Sequence, residues 1–200
     1  MDITIVGYDP KKHDKRVLAK FMYNADIEMN NLFLGEEKDC IKINEKLVDL
    51  KNQHLVSEDI NLAIVNGEIA GLVLGYNVSK KKRFNKNMGE ALVKVMGVWW
   101  LLKRLFLFIK ARKLGGGFME QDGYYIYILS IDPFHRGKGI GAQLIEMMVK
   151  KHSKLYLHVN TNNYRGQKFY KKMGFKQREK SVILHNGKEV GTYLMQKKQA

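Results

Sequence analysis

The 200-residue sequence has few of the residues that cross-link or interrupt a chain: one cysteine, Cys40, and two prolines, Pro10 and Pro133. A single cysteine excludes an internal disulfide, and no Cys/His cluster has the spacing of zinc ligands. Without a Pro-rich linker nothing separates two domains, and the length suits one domain with a full hydrophobic core. Met1 to Val6 lacks the basic and apolar regions of a signal peptide, which predicts a reducing, cytoplasmic location. Acidic residues are also scarce, with 20 Asp and Glu against 35 Lys and Arg and a formal net charge of +15. That balance favours anionic partners such as a phosphorylated cofactor, nucleic acid, anionic lipid or an acidic substrate. The lysines are scattered (Lys11, Lys38, Lys51, Lys80 to Lys82, Lys150, Lys171, Lys197). Scatter describes a solvated surface better than the one-sided basic patch of a nucleic-acid reader, so nucleic acid is not expected as a partner.

Long uncharged hydrophobic runs are absent too; none approaches the ~18 residues of a transmembrane helix. The nearest is Ala91 to Lys113, interrupted by Lys94, Lys103, Arg104 and Lys110. Leu92, Val95, Met96, Trp99, Leu102, Phe106 and Ile109 form one helical stripe, and Val98, Trp100, Leu101, Leu105, Leu107 and Phe108 make the remaining sides apolar. A helix apolar on nearly every side is normally buried, so this one is expected to pack over the core or in a homodimer interface. The alternative is a basic, Trp-rich helix lying on a membrane surface through Trp99 and Trp100, without stable insertion. Gly115-Gly116-Gly117 reads as a flexible hinge.

Elsewhere the pattern alternates between strands and helices. Ile3 to Tyr8 reads as a strand, with Asp9 capping and Pro10 opening a helix that carries Val17, Leu18, Phe21, Met22 and Ala25 inward. A second helix is expected from near Glu36 to Asn52. Asn61 to Val65 and Glu68 to Tyr76 form a hairpin around Asn66-Gly67. Tyr124 to Ile131 is a strand, Gly139 to His152 a helix, Leu155 to Val159 a strand and Asn163 to Met173 a helix. Two closing strands flank Asn186-Gly187. The order βααβββαβαββ predicts an α/β fold around a mixed sheet, with no internal repeat.

The strongest chemical signal is Ser130 to Gly141, Ser-Ile-Asp-Pro-Phe-His-Arg-Gly-Lys-Gly-Ile-Gly. A strand ends, a loop follows, and a helix begins within the glycines. Glycines let several backbone N–H groups approach one ligand, and a helix N-terminus adds partial positive charge, which together suit a pyrophosphate. Arg136 and Lys138 bring full charges. The run is neither a P-loop nor a dinucleotide fingerprint.

A second stretch, Leu157 to Phe175, contains Asn163 and Phe169-Tyr170-x-x-x-Gly174-Phe175. With both stretches in view, the sequence resembles the GCN5-related N-acetyltransferase (GNAT) superfamily. Arg136-x-x-Gly139-x-Gly141 matches its pyrophosphate motif, and the second stretch its other signature. The resemblance implies one N-acetyltransferase domain over residues 1–200. Its central mixed, twisted sheet would be flanked by helices, with strands four and five splayed and residues 91–113 a helical insertion between strands three and four. It implies acetyl-CoA (coenzyme A) as cofactor and an amine of a small molecule, peptide or protein as acceptor, joined in a ternary complex by direct attack. The strand backbone at Leu129, Ser130 and Ile131 would run along the pantetheine arm. The N–H groups of Arg136, Gly137, Lys138, Gly139, Ile140 and Gly141 would hold the pyrophosphate. Asn163 would hold the cofactor or shape its bend, and Tyr170 would protonate the leaving thiolate. Tyr164 and Arg165 would lie near the adenine, and a backbone N–H near Leu129 to Ile131 would stabilise the oxyanion.

The base is a departure from the family pattern. Many members carry a Glu at the position occupied here by Tyr125, and ribosomal-protein N-acetyltransferases carry one at the position of His158. His158 between Leu157 and Val159 faces opposite to them, and an imidazole titrates near the pH a base needs; a structural histidine is the competing reading. Glu120, Asp122 and a water chain are alternatives. His135 lies in the phosphate loop, while Asp132-Pro133 shapes its turn. Phe21, Tyr23, Asn24, Glu28, Phe33 and Glu36 lie in the neighbourhood expected to select the acceptor, with the insertion as a roof. A non-catalytic acyl-CoA-binding module and a ribosome-associated basic binder remain alternative functions.

Overall fold

The computed structural model describes residues 2–50 and 60–199. The strands are β1 (Thr4–Gly7), β2 (Asn61–Val65), β3 (Glu68–Asn77), β4 (Tyr124–Ile131), β5 (Lys154–Asn160), β6 (Lys176–His185) and β7 (Lys188–Lys198). The helices are α1 (Lys15–Ala25), α2 (Ile27–Leu34), α3 (Glu37–Asp49), α4 (Lys81–Met96), α5 (Val98–Ala111), α6 (Ile140–Lys151) and α7 (Tyr164–Lys172). One sheet runs in the order β1-β2-β3-β4-β5-β7-β6, antiparallel except for the parallel pair β4–β5. Both predicted hairpins are present. Asn66 (φ 51°) with Gly67 (φ 82°), and Asn186 (φ 48°) with Gly187 (φ 74°), adopt the left-handed pairs whose twist matches the flanking strands.

Helices cover both faces. On one side Ile140, Leu144, Ile145 and Met148 of α6 are buried against Ala70, Val73, Tyr124, Ile126, Leu155 and Leu157. At roughly 1.5–3 kcal/mol for each such side chain, this face fixes α6, and with it the loop at its N-terminus, to the sheet. On the other side α1, α3 and α4 bury Leu18, Phe21, Met22, Ile43, Leu47, Phe84 and Leu92 over Leu62, Leu72, Leu74 and Tyr125.

Several helix boundaries differ from the sequence expectation. Asp9-Pro10 opens a turn rather than α1: Asp9 accepts from the Lys11 N–H at 2.9 Å, and its own N–H donates to His13 Nδ1 at 2.8 Å. The cap of α1 is Asp14, which accepts from the Arg16 N–H at 2.8 Å. α2, a short helix capped by Asp26, is additional to the elements expected from the sequence. Asn30 ties it to α1 by donating to the carbonyls of Met22, Tyr23 and Asp26 at 3.2, 3.2 and 2.9 Å. The expected end of the next helix, Lys51 and Asn52, lies outside the described residues.

The apolar insertion is two helices, not one. Gly97, at φ 82°, breaks the run between Met96 and Val98 in a conformation other residues adopt only under strain. Because the chain turns there, α5 does not continue the buried face of α4. The expectation that it packs over its own core fails on this side: Val98, Trp99, Leu102, Leu105, Phe106 and Ile109 are exposed in the single chain. The turn after it is no free hinge either. Lys81 Nζ donates to the Gly115 carbonyl at 2.8 Å, and His158 Nε2 lies 2.9 Å from the Gly116 carbonyl. Among the described residues no helix is long and apolar enough to cross a membrane.

β3 and β4 shift register at Tyr127, the extra residue between the pairs Leu74–Ile128 and Gly75–Ile126. At Gly75 a Cβ would collide with the Tyr124 ring and with the Tyr125 carbonyl oxygen, which cannot move away. Gly75→Ala should therefore lower stability by about 1–3 kcal/mol through overpacking. A urea midpoint identical to that of the parent would refute this account of the bulge.

Candidate acetyl-CoA site

β4 and β5 are joined only through Tyr124–Leu155, Tyr125–Tyr156 and Ile126–Leu157. Beyond those pairs they part. The rest of β4 pairs with β3 alone, Ile128 to Ile131 facing Leu74 to Gly71, while His158 to Asn160 pair with β7. The β5-facing edge of β4 at Leu129 to Ile131 therefore carries backbone groups without a strand partner, an arrangement that accepts an extended chain as an added strand. Ser130 Oγ is buried there without a hydrogen-bond partner.

The chain leaves β4 through a short 3-10 turn, Pro133 to His135. Asp132 Oδ1 accepts from the Phe134 N–H at 2.9 Å and lies 3.3 Å from His135 Nδ1, so both residues shape the turn. Gly137 and Gly139 follow at φ 82° and 85°. Gly139 is the N-cap of α6, and no side chain caps the helix. Its first N–H groups thus lack side-chain acceptors, and a Cβ at Gly137 or Gly139 would meet open space. Arg136 to Gly139 are exposed, with Arg136 Nε donating to the Ile131 carbonyl at 3.2 Å. Uncapped N–H groups, open glycines and adjacent Arg136 and Lys138 fit a pyrophosphate. Gly141 also serves packing, since a Cβ there would come within 3.2 Å of the Phe169 ring.

α7 brings Phe169 up to the start of α6 at Gly141. Asn163 caps α7 by accepting from the Gly166 N–H at 2.8 Å, which commits its side-chain oxygen to the helix. Tyr170 is half-buried, edge-on to Phe169 and Phe175 at 5.2 and 5.7 Å. Burial, with a smaller contribution from the Asp26 carboxylate, raises its phenol well above the ordinary tyrosine range. The hydroxyl is a proton donor at neutral pH.

His158 faces away from Leu157 and Val159, as its place on the strand predicts, and both ring nitrogens are engaged. The Gly116 carbonyl can only accept, so Nε2 carries the proton; Nδ1 then accepts from the Tyr125 hydroxyl at 2.8 Å. Desolvation is the main reason that its pKa falls to about 4. The fallback acids are committed as well. Glu120 accepts from Lys154 Nζ at 2.6 Å and Lys198 Nζ at 2.8 Å, and these hold its pKa down to about 2. Asp122 shares Lys154 at 2.8 Å.

Of the two carboxyl groups at the start of α2, Glu28 is among the acceptor neighbours expected from the sequence and Asp26 is not. Burial raises the Asp26 pKa, and the Asn160 side chain opposes that by hydrogen bonding. Beside it Glu28 accepts from Asn160 Nδ2 at 2.8 Å and from Asn162 Nδ2 at 3.2 Å. The pattern Asp-x-Glu after a helix end was a visible signal, but nothing local linked it to Asn160, 132 residues away. Of the expected acceptor neighbours, Phe21 and Tyr23 are buried, Phe33 stacks on Phe108 at 5.6 Å, and Glu36 occupies the N-cap of α3. Among the described residues no group of three or more His, Cys, Asp and Glu could hold a metal ion.

Residues 97–177 match the model of the acetyltransferase (GNAT) domain, which is under half of the chain. A 72-residue segment is 42% identical to the peptidyl-lysine N-acetyltransferase YjaB of Salmonella typhimurium, covering 36% of this chain and 50% of that protein. The matched segment thus spans about half the length of that curated relative. An N-acetyltransferase from Staphylococcus aureus Mu50 superposes with a TM-score of 0.65 at 19% identity, over 96% of this chain and 99% of the other. A GNAT family acetyltransferase from Elizabethkingia anophelis, solved with acetyl-CoA bound, superposes with a TM-score of 0.55 at 16% identity, over 98% of both chains. The parted strands, the glycine-opened helix and these likenesses agree: the chain has the fold of the GNAT acetyltransferase superfamily.

Proposed function

We propose that the protein is an acetyl-CoA-dependent N-acetyltransferase that modifies a primary amine, with a lysine side chain as the first acceptor to try. The observation that carries this reading is the uncapped, glycine-opened N-terminus of α6 directly after the unpaired end of β4; Tyr170, whose phenol interacts electrostatically with Asp26 and Tyr125, supports it. Bound acetyl-CoA supplies the thioester that an amine attacks. The N–H groups of residues 136–141 bind its pyrophosphate, and the β4 edge from Leu129 to Ile131 aligns its arm and offers an N–H to the carbonyl oxygen. An ammonium acceptor would first lose a proton to solvent; Tyr170, kept protonated by burial, would then give its proton to the departing sulfur, and the phenolate so formed would recover one from the attacking nitrogen, so that neutral amide and thiol leave. Asn163 contributes by fixing the start of α7.

Two features support a cationic acceptor. Asp26 interacts electrostatically with Tyr170, and Glu28 adjoins it through the shared Asn160. The YjaB relative acts on peptidyl-lysine by its name, which agrees with an amine of that kind. Of the base role expected for His158, a relay is what its geometry allows. Its Nδ1 is held by Tyr125 and its basicity is low, so it acts on a substrate only through the Tyr125 hydroxyl. We assign it as a positioning residue for Tyr125 and the Gly116 turn.

Tyr170→Phe should lower kcat by ~10²–10⁴, the usual worth of a general acid. Acetyl-CoA affinity should be nearly unchanged, as read by thiol release with a lysine peptide and by calorimetry. Undiminished turnover would remove Tyr170 from the chemistry. His158 yields a pH prediction. Its folded pKa of about 4 lies below the ordinary imidazole value of about 6.5, so the unfolded chain takes up the proton first. Its contribution is complete above pH ~6.5 and is lost as the pH falls through ~4. His158→Gln should flatten the decline in unfolding free energy across that window, and an unaltered decline would contradict the buried neutral imidazole.

A further inference from the structure

Between Glu90 and Glu120 the sequence has no acidic residue but six basic ones: Lys94, Lys103, Arg104, Lys110, Arg112 and Lys113. α5 occupies the middle of this stretch, and its two sides differ. Its inner side holds it to α2. Phe108 stacks on Phe33 at 5.6 Å, and Arg104 lies 4.8 Å from the Trp100 ring centre while donating to the Leu32 and Phe33 carbonyls at 3.2 and 3.1 Å. A cation at the last carbonyls of α2 also opposes the negative end of that helix.

The outer side has no partner among the described residues. Trp99 is 79% exposed and Phe106 70%, with Val98, Leu102, Leu105 and Ile109 exposed beside them. Their spacing of three to four residues puts them on one stripe. Lys103 and Lys110 are exposed along it, and Lys110 Nζ sits 4.5 Å from the Phe106 ring centre. Such a surface needs an apolar medium edged with negative charge.

We propose that α5 docks the protein on an anionic lipid bilayer, with Trp99 and Phe106 in the interface and the flanking basic side chains on the lipid phosphates. At 14 residues α5 is ~21 Å long, short of a ~30 Å hydrocarbon core, so it lies in the membrane plane. Charge decides between this occupant and a second copy of the chain. A two-fold dimer is self-complementary and would bring one copy's lysine-edged stripe against the other's, with no acid in the segment to neutralise them. A phosphate surface neutralises them directly. The proposal is independent of acetyl transfer.

The test is cosedimentation of the full chain with phosphatidylcholine vesicles, with and without phosphatidylglycerol, alongside sedimentation velocity of the free protein. The parent should pellet mainly with the anionic vesicles, with a blue shift of tryptophan emission. Trp99→Ser combined with Phe106→Ser should abolish pelleting, and Lys103→Gln with Lys110→Gln should weaken it several-fold. All variants should keep the parental circular dichroism. Three results would overturn the proposal: no pelleting of the parent, pelleting that survives the Trp99/Phe106 change, or a stable dimer that the same change dissociates.

Discussion

Three residue pairs hold β4 to β5, and then the strands separate. The rest of the site depends on that separation. It frees one edge of β4 for an extended ligand, while β3 continues to satisfy the other edge through Ile131. The sheet tolerates the opening because each strand keeps a long antiparallel neighbour, β3 for β4 and β7 for β5. Helices α6 and α7 are anchored independently. α6 is fixed by four deeply buried side chains, and α7 by its Asn163 cap and the Phe169–Tyr170–Phe175 ring cluster. The proposed binding groups are therefore carried on elements that are each packed independently of any ligand.

Electrostatics divides the remaining polar residues by task. In a chain of net charge +15, Glu120 and Asp122 are bound to lysines and fasten the approach to β4 onto β5 and β7. Asp26 and Glu28 instead meet the amides of Asn160 and Asn162, which carry no charge to cancel theirs. An ammonium group would therefore be attracted to the α2 edge rather than to the Glu120 cluster.

Features legible in the sequence are those with short-range causes. The Asn-Gly turns need left-handed backbone, and the glycines before α6 open a helix without a cap; each is stated by two or three adjacent residues. Features that escaped are set by distant partners. α2 has little amphipathic signal and owes its place to Asn30 and to contacts with Phe108 and Arg104. The exposure of α5 follows from one residue, Gly97, which a reading of the apolar stripe passes over. Asp14 displaced Asp9 as the cap of α1 because His13 folds back to accept the Asp9 N–H. The engagement of His158 with Gly116, 42 residues earlier, lies beyond any local pattern.

The account rests on a coenzyme A site between β4, β5 and the α6 N-terminus. Its most direct test is the melting temperature of the protein with saturating acetyl-CoA, coenzyme A, ATP or NAD. Acetyl-CoA and coenzyme A should raise it, corresponding to about 2.7 kcal/mol at ~100 times the dissociation constant, and NAD and ATP should not. No rise with acetyl-CoA, or an equal rise with all four, would contradict the account.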